Sequence, residues 1–241
     1  GKLYIIGGRP GSGKTILGIN MMLQALKDGT AAQVYTMEMS DEEITLRMIC
    51  ALSGLNTRAK LNMQDHDWAL LTTGFSMLKD KPLKIDDKGG YGIAYLESNI
   101  RAHAAKHAKS VYMVDYLQLM KTPGDNRESG IAEITRRLKT LAQDIDRPIL
   151  LLVQLNRGLE SRQDKRPVSS DIRESGSVEQ DADVIIMAYR DDMYNEDSEF
   201  KGIAELIVRK HRDGETGTVR VRSELKYSRF TDIGGGYNDY S

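Results

Sequence analysis

The sequence has little or none of three features that mark secreted and membrane proteins: cysteine pairs, long apolar runs and an N-terminal leader. Its 241 residues include one cysteine, so no intrachain disulfide can form, and this suits a reducing cytosol. No apolar run approaches the roughly 18 residues of a membrane span, and no charged-then-apolar leader opens the chain. We therefore expect a cytoplasmic protein without a membrane partner.

Repeats, low-complexity segments and obvious linkers are also missing from the sequence. This favours a single globular domain over residues 1–241, in which only the polar end GGGYNDYS, residues 234–241, is expected to be a flexible tail. The chain also lacks an excess of charge of either sign, because it has 34 basic and 35 acidic residues. No overall positive field attracts nucleic acid, so any such contact must be local.

Short apolar runs alternate with longer stretches of 3.6-residue periodicity, and this predicts βα units on a mainly parallel sheet. The expected strands cover residues 3–7, 33–38, 83–86, 110–117 and 148–154, and the expected helices cover residues 14–27, 41–53, 93–108 and 131–145. After about residue 183 the segments VIIMAY, GIAELIVRKHR and TVRVR indicate strands and hairpins. The predicted fold class is α/β, a mainly parallel twisted sheet flanked by helices, with an antiparallel C-terminal extension at one edge.

The stretch GRPGSGKT fits the phosphate-loop pattern GxxxxGK[ST] and lies between a predicted strand and a predicted helix. Its glycines let backbone N–H groups converge on phosphate oxygens, and the helix N-terminus adds positive potential. Lys14 would reach the β and γ phosphates, and Thr15 would bind Mg²⁺. The predicted nucleotide-binding residues of the loop are Gly8, Arg9, Pro10, Gly11, Ser12, Gly13, Lys14 and Thr15.

Three polar residues are expected at the carboxyl edge of the sheet, where the phosphate loop emerges. Asp115 ends the strand of VYMVD, where a carboxylate can hold a Mg²⁺ shell. Glu38 could polarise the attacking water as a general base, or it could help cap the helix that begins near Ser40. Gln154 ends PILLLVQ, where its amide could contact the γ-phosphate, or it could be a simple turn residue.

The stretch from 204 to 212 predicts a strand with period-two alternation. Ala204, Leu206, Val208, Lys210 and Arg212 would share one face, so that an apolar row ends in two cations. Two interpretations remain open, a solvated hairpin tip and a site for an anion beyond the sheet. The guanine-reading motif NKxD is missing and nothing like a kinase lid is visible, so an ATPase is favoured.

The whole chain resembles the C-terminal motor domain of the DnaB family of replicative helicases, a RecA-like ATPase that works as a ring of six. The matching stretches are GRPGSGKT, TMEMS, MVDYLQLM, EITRRLKTLA, QLNRGLESRQDKRP, SDIRESGSVEQDADVIIMAYRDD and VRKHRDGETGTV. Two departures from the family are Gly11 and Ser12 in the phosphate loop, where many relatives carry Ser and Met. A third is Val153, where a Ser commonly precedes the glutamine.

The resemblance implies a role for each matching residue. It makes Glu38 the catalytic glutamate, Asp115 the Mg²⁺-organising aspartate and Gln154 the γ-phosphate sensor. Arg47 matches a position that contacts nucleotide. Lys210 and Arg212 match a pair that reaches in trans into the ATP site of the neighbouring subunit, which would make the anion at the strand end a γ-phosphate.

The resemblance also suggests two DNA-binding loops. SDIRESGSVEQDAD is similar to the loop that lines the central channel, where exposed backbone N–H groups near small residues can bind phosphates without reading sequence. Its predicted DNA contacts are Arg173, Glu174, Ser175 and Gly176, and a capped turn with acidic flanks is the alternative. TPGDNRESG, residues 122–130, resembles a second pore loop with Arg127 as its phosphate contact, or it is an ordinary surface loop.

The implied activity is ATP-driven translocation on single-stranded DNA, 5′ to 3′, as a homo-hexameric ring with ATP and Mg²⁺. Primase and a helicase loader would be partners through an N-terminal domain and linker helix that we do not find in this chain. A filament-forming recombination ATPase and a non-translocating assembly ATPase of the same superfamily are the alternatives.

Overall fold

The computed structural model describes residues 1–59, 62–124, 126–172 and 175–233. Within these residues one nine-stranded sheet carries helices on both faces. The strands are β1 (Leu3–Gly8), β2 (Ala31–Thr36), β3 (Leu83–Asp86), β4 (Ser110–Asp115), β5 (Ile149–Gln154), β6 (Val184–Tyr189), β7 (Ile203–His211), β8 (Gly217–Glu224) and β9 (Arg229–Asp232). The helices are α1 (Lys14–Lys27), α2 (Asp41–Ser53), α3 (Asp65–Leu78), α4 (Ile93–Ala104), α5 (Arg127–Ile145) and α6 (Ser175–Asp181).

Strands β1 to β6 run parallel in the order β3-β2-β4-β5-β1-β6. Strand β1 therefore lies between β5 and β6, and the loop that follows it emerges inside the sheet rather than at a border. Because the carboxyl ends of parallel strands meet at one edge, the ends of β1, β2, β4 and β5 can contribute to a common site. The predicted α/β class with a mainly parallel sheet is confirmed.

The sheet is buried on both faces, and this explains why runs such as ILLLV lack alternation. On one face the core is formed with α1, α2 and α3, through Leu17, Ile19, Met22, Ile44, Met48 and Leu78. On the other face it is formed with α4, α5 and α6, through Ile93, Leu96, Ile100, Ile131, Leu138 and Val178. Each fully buried large aliphatic side chain contributes about 1.5–3 kcal/mol. Cys50 of α2 is also buried, with a free thiol.

The C-terminal part forms an antiparallel meander, β6-β7-β8-β9, at one edge of the sheet, and this confirms the predicted extension. The predicted common face of residues 204–212 is wrong beyond Val208. Val208 pairs with Ile186 whereas Lys210 pairs with Ile185, so β7 has one extra residue in a β-bulge. Because Ile185 and Ile186 pack into opposite faces of the sheet, Lys210 lies on the other face from Val208.

Helix α3 is absent from the predicted elements. Its sequence DHDWALLTTGFSML distributes large apolar side chains around the helix, and Trp68 and Phe75 are exposed, so no clear apolar stripe marks it. Its inner side packs closely on α2. A Cβ added to Gly74 would lie 2.8 Å from Cγ2 of Ile49, so the two helices approach too closely there for a larger residue.

Other boundaries also differ from the predicted ones. Helix α5 begins at Arg127 rather than at 131, because the Asn126 side chain caps it by accepting a 3.1 Å hydrogen bond from the Ser129 N–H. The end of the predicted loop 122–130 is therefore helical. Helix α4 ends at Ala104 rather than at 108, and α6 occupies residues 175–181 of a stretch predicted as a loop.

Strands β2 and β4 end two residues earlier than predicted, at Thr36 and Asp115. Glu38 consequently lies beyond its strand, in the segment that leads to α2. The tail predicted at residues 234–241 lies outside the described residues. None of the helices in the described ranges combines the length and the apolar character that a membrane crossing requires.

Candidate nucleotide-binding and catalytic site

The loop between β1 and α1 has the backbone that its glycines predict. Gly11 and Gly13 adopt φ values of 83° and 95°, in the left-handed region that favours glycine. Gly13 is the N-cap of α1, and its carbonyl accepts a 2.8 Å hydrogen bond from the Leu17 N–H. The first N–H groups of α1 have no acceptor inside the helix, and residues 14–16 line a cleft of about 460 Å³. This arrangement attracts anions.

Pro10 and Gly11 are among the loop residues that line the cleft, whereas Gly8 and Ser12 are not. The Ser12 N–H donates to the Arg9 carbonyl at 3.0 Å, and Ser12 is buried. Its Oγ has no hydrogen-bond partner among the described residues. A Cβ on Gly8 would collide with this hydroxyl, so any larger residue there would force the Ser12 side chain to move.

Lys14, Thr15 and Asp115 form the centre of the cleft. Thr15 Oγ1 donates to Asp115 Oδ2 at 2.9 Å. Lys14 Nζ lies 3.9 Å from Asp115 Oδ1 and 3.9 Å from Glu38 Oε2, and 4.8 Å from the centre of the Tyr116 ring. The ammonium group thus lies between two carboxylates without a close hydrogen bond to either, and its donors remain available for a ligand.

Asp115 is fully buried, and burial raises the pKa of its carboxyl above the ordinary value, although Lys14 and Thr15 act in the opposite direction. Its Oδ1 has no hydrogen-bond partner within the described ranges. An unsatisfied buried carboxylate oxygen is costly, and a bound cation would satisfy it. The hydroxyl of Thr15 beside this carboxylate offers the oxygen ligands that Mg²⁺ prefers.

Glu38, Glu43 and Arg47 line the side of the cleft formed by α2 and the segment before it. The Glu38 side chain is 54% exposed, so water can reach its carboxylate. The alternative role, capping of α2, falls to Ser40, whose Oγ accepts a 3.3 Å hydrogen bond from the Glu43 N–H. The carboxylate of Glu38 is therefore left to the cleft.

Gln154 lines the cleft at the end of β5. Its backbone is held by Gln118, whose Oε1 accepts from the Gln154 N–H at 3.1 Å and whose Nε2 donates to the Gln154 carbonyl at 3.2 Å. Sequence reasoning missed Gln118, although it lies in the quoted stretch MVDYLQLM. No local signal distinguishes it there, because its partner is 36 residues away in the chain.

Arg9 lines the cleft, but its guanidinium is used within the chain. Its Nε donates to Glu160 at 2.7 Å and its Nη1 donates to the Leu155 carbonyl at 2.9 Å. Two of its five N–H donors are therefore used within the chain, and the others remain for a nucleotide.

The C-terminal meander completes the cleft, and no local sequence signal predicts this. The Asn20 side chain of α1 donates to the Ser228 carbonyl and accepts from the Phe230 N–H, both at 2.9 Å. These bonds fold β9 across α1, so that a Cβ on Gly13 would lie 2.7 Å from the Phe230 ring. Leu225 is carried to the cleft by the same segment.

Lys210 and Arg212 lie together at the end of α6, away from the cleft-lining residues of their own chain. Lys210 Nζ donates to the carbonyl oxygens of Glu179 at 2.5 Å and Gln180 at 3.3 Å. Arg212 contacts the Asp183 carboxylate at 3.3 Å and the Gln180 carbonyl at 3.4 Å. Burial and the charge of Arg212 lower the pKa of Lys210. The role of these cations in a neighbouring subunit stays a prediction.

The predicted DNA contacts are only partly described. Arg173 and Glu174 lie outside the described residues, and of Ser175 the structure describes only its place in α6. Gly176 follows it in the first turn of α6. Arg127 begins α5, and its Nη2 donates to the Gln118 carbonyl at 2.8 Å.

The sheet order, the phosphate loop and the carboxylate beside its threonine define a P-loop NTPase with a RecA-like core. A family model described as the DnaB-like helicase C terminal domain matches residues 1–232. The chain belongs to this family, and the resemblance predicted from its motifs is confirmed.

Similar proteins agree with this assignment. The chain is 44% identical to the "Replicative DNA helicase DnaB" of Pasteurella multocida over 239 residues, which cover 96% of this chain and 51% of that protein. It is 37% identical to the "Replicative DNA helicase DnaC" of Bacillus subtilis, with 98% of this chain and 54% of the relative covered. The chain thus spans about half the length of these curated relatives.

Two solved structures share the fold. One, described as an ATPase domain, superposes with a TM-score of 0.92 at 34% identity, covering 96% of this chain and 84% of that one. The other, described as a DnaB-like replicative helicase and its interactions with primase, also gives 0.92 at 34% identity but is covered over only 57% of its length.

Proposed function

We propose that this chain is the ATP-hydrolysing motor of a replicative DNA helicase, which translocates on single-stranded DNA as a homo-hexameric ring. The observation that carries this proposal is the cleft that combines the phosphate loop, Lys14, the Thr15–Asp115 pair, Glu38 and Gln154. Membership of the family supports the coupling of this cleft to DNA.

The nucleotide would bind with its phosphates at the N-terminus of α1, where the N–H groups without helical acceptors and the Lys14 ammonium offer donors. Thr15 Oγ1 and Asp115 would hold Mg²⁺, directly or through its water shell, and the unpaired Oδ1 of Asp115 fits that use. Mg²⁺ supplies neutralisation of the charge on the β and γ phosphates.

Glu38 would orient and deprotonate the attacking water, because its carboxylate is water-accessible and within 3.9 Å of Lys14. Gln154 would contact the γ-phosphate with its side-chain amide. When the γ-phosphate leaves, the amide loses this partner, and the end of β5 can respond.

Lys210 and Arg212 would complete the site of the neighbouring subunit. A cation supplied in trans stabilises the charge of the transition state, and this raises the rate of hydrolysis by a factor of about a thousand or more. Their distance from their own cleft favours this use over one within the same chain. Catalysis by a monomer would then be slow.

DNA would be bound at the N-terminus of α6 and at the start of α5, by backbone groups and by Arg127 and Arg173 acting on phosphates, without reading bases. Primase is the partner that the description of one similar structure suggests, and a helicase loader would join it through regions outside this chain. The bacterial relatives suggest that the protein acts in the cytoplasm.

The test is the ATPase rate per subunit of the full-length protein as its concentration rises, with and without single-stranded DNA. A shared interface site predicts a rate per subunit that increases with concentration and is raised further by DNA of any sequence. A rate per subunit that is independent of both would contradict the proposal.

A further inference from the structure

Strand β5 continues beyond its partner on one side. The pairing of β4 with β5 runs from Tyr112 opposite Ile149 to Val114 opposite Leu151, and then stops. Gln154 lies three residues further along β5, where the chain after β4 has turned into a 3₁₀ helix at Leu117–Leu119. On the other side β1 still flanks Gln154, and the next N–H, that of Leu155, donates to the Gly8 carbonyl. The N–H and carbonyl of Gln154 therefore need partners on the β4 side.

The side chain of Gln118 supplies both partners. Its Oε1 accepts from the Gln154 N–H at 3.1 Å and its Nε2 donates to the Gln154 carbonyl at 3.2 Å. A side-chain amide has a donor and an acceptor in one plane, as a peptide group has, so Gln118 extends the ladder by one residue. Asparagine carries the same amide but is one methylene shorter, and no other side chain carries an amide.

The backbone of Gln118 makes a second connection. Its carbonyl accepts a 2.8 Å hydrogen bond from Nη2 of Arg127, the first residue of α5. One residue therefore contacts both the peptide of Gln154, which lines the cleft, and the side chain of Arg127, which is the predicted phosphate contact of the loop 122–130. The path between the two runs through two contacts.

We propose that Gln118 is a positioning residue that holds the Gln154 peptide and connects its movements to Arg127. This inference rests on the proposed function, since it needs Gln154 to respond to the γ-phosphate and Arg127 to contact DNA. A shift of the Gln154 peptide must either carry Gln118 with it or break both hydrogen bonds. Occupancy of the cleft and the position of Arg127 are in this way linked, and linkage acts in both directions.

The test compares the stimulation of ATP hydrolysis by a thymidine homopolymer in variants of the full-length protein. Gln118→Met keeps the length of the side chain and removes both hydrogen bonds, whereas Gln118→Glu keeps the acceptor for the Gln154 N–H. The matched control is Gln143→Met, an exposed glutamine near the end of α5. Gln118→Glu also places a carboxylate oxygen against the Gln154 carbonyl, so we expect the stimulation to fall about tenfold in both Gln118 variants and not at all in Gln143→Met.

Two further measurements separate positioning from a general loss of structure. The KM for ATP should stay within about twofold, because the phosphate loop is untouched. In the double variant Gln118→Met/Arg127→Ala, DNA should stimulate hydrolysis as much as it does in whichever single variant is stimulated less. The reason is that both changes interrupt one connection. If Gln118→Met does not fold, Gln118→Glu carries the same comparison.

The outcomes distinguish the two proposals. If the wild type is stimulated by DNA and Gln118→Met is stimulated equally, the inference about Gln118 is overturned while the proposed function stands. Fully additive losses in the double variant also overturn it. If the wild type is not stimulated by DNA, the proposed function fails and the inference fails with it.

Discussion

The cations that we assign to catalysis lie in two places, the cleft and the end of α6, and their surroundings differ. In the cleft, Lys14 is buried between two carboxylates but is 3.9 Å from each. At the end of α6, Lys210 Nζ is 2.5 Å from the Glu179 carbonyl oxygen, and the Arg212 guanidinium contacts the Asp183 carboxylate at 3.3 Å and the Gln180 carbonyl at 3.4 Å. Among the described residues Lys14 therefore has no close hydrogen-bond acceptor, whereas Lys210 and Arg212 both have one.

This difference is the one expected if, as we propose, each chain supplies one half of its own ATP site and one half of its neighbour's. A buried ammonium without close acceptors gains most from a phosphate, so the cleft is ready for a ligand. The cations at α6 interact with the partial negative charge at a helix C-terminus and with a carboxylate, so their charge is compensated even when no ligand is bound.

Loss of the cleft cation should have the largest effect. Lys14→Ala removes the charge beside the phosphates, and we expect ATP hydrolysis to fall by a factor of about a thousand or more, with weakened nucleotide binding. Hydrolysis assays and titration with a fluorescent ATP analogue measure both. Lys27→Ala, an exposed residue at the other end of α1, is the control and should behave as wild type.

Loss of a cation at α6 should separate binding from hydrolysis. Arg212→Ala is expected to lower kcat by about a thousandfold while the affinity for the ATP analogue changes little, because an arginine supplied in trans acts mainly on the charge of the transition state. Arg222→Ala, an exposed arginine on β8, serves as the control. Equal losses of affinity in Arg212→Ala and Lys14→Ala would remove the distinction between the two places.

The carboxylate opposite Lys14 should matter for the chemical step alone. Glu38→Gln keeps the shape of the side chain and removes its basicity, so kcat should drop about a hundredfold or more with KM nearly unchanged. Steady-state kinetics measure the two parameters separately. A variant that hydrolyses ATP at the wild-type rate would show that another group activates the water.

The carboxylate that holds Arg212 should contribute to stability in a pH-dependent way. Burial raises the pKa of Asp183, but hydrogen bonds from Lys139 and the Leu3 N–H, with the charge of Arg212, outweigh it, and the net pKa lies below the ordinary value. A pKa lowered by folding stabilises the protein above the unfolded pKa, and this stability is lost as pH falls through the folded pKa.

Asp183→Asn is therefore expected to lower the free energy of unfolding by about 2 kcal/mol at pH 7. The difference from wild type should shrink below about pH 4, where the carboxyl of the unfolded chain becomes protonated, and disappear below the lower pKa of the folded protein. Urea denaturation at several pH values measures it, with the exposed Asp80→Asn as control. A difference that is independent of pH would mean that the charge of Asp183 is not what stabilises the cations.

The sequence predicts the cleft around Lys14 better than it predicts the surroundings of Lys210 and Arg212. The phosphate loop, Asp115 and the mainly parallel sheet follow from local patterns, because the loop, the strand and the helix are neighbours in the chain. The contacts of Lys210 do not, since a single extra residue in β7 changes the face on which it lies, and a count with period two cannot detect this.

Long-range contacts explain what else was missed. Leu225 reaches the cleft because Asn20 binds the backbone near β9, about two hundred residues away in sequence. Gln118 becomes important only because β4 and β5 diverge, and no property of MVDYLQLM reveals where a neighbouring strand ends. Helix α3 has no apolar stripe, so its place depends on packing against α2.

The central claim is that the two groups of cations meet at an interface between subunits. Its most direct test mixes Arg212→Ala and Glu38→Gln subunits, each nearly inactive alone, in equal amounts and measures ATP hydrolysis with single-stranded DNA. With random mixing, about a quarter of the interfaces join an intact Glu38 to an intact Arg212 from the neighbour. The account predicts a clear recovery of activity in the mixture, and a mixture no more active than its components would contradict it.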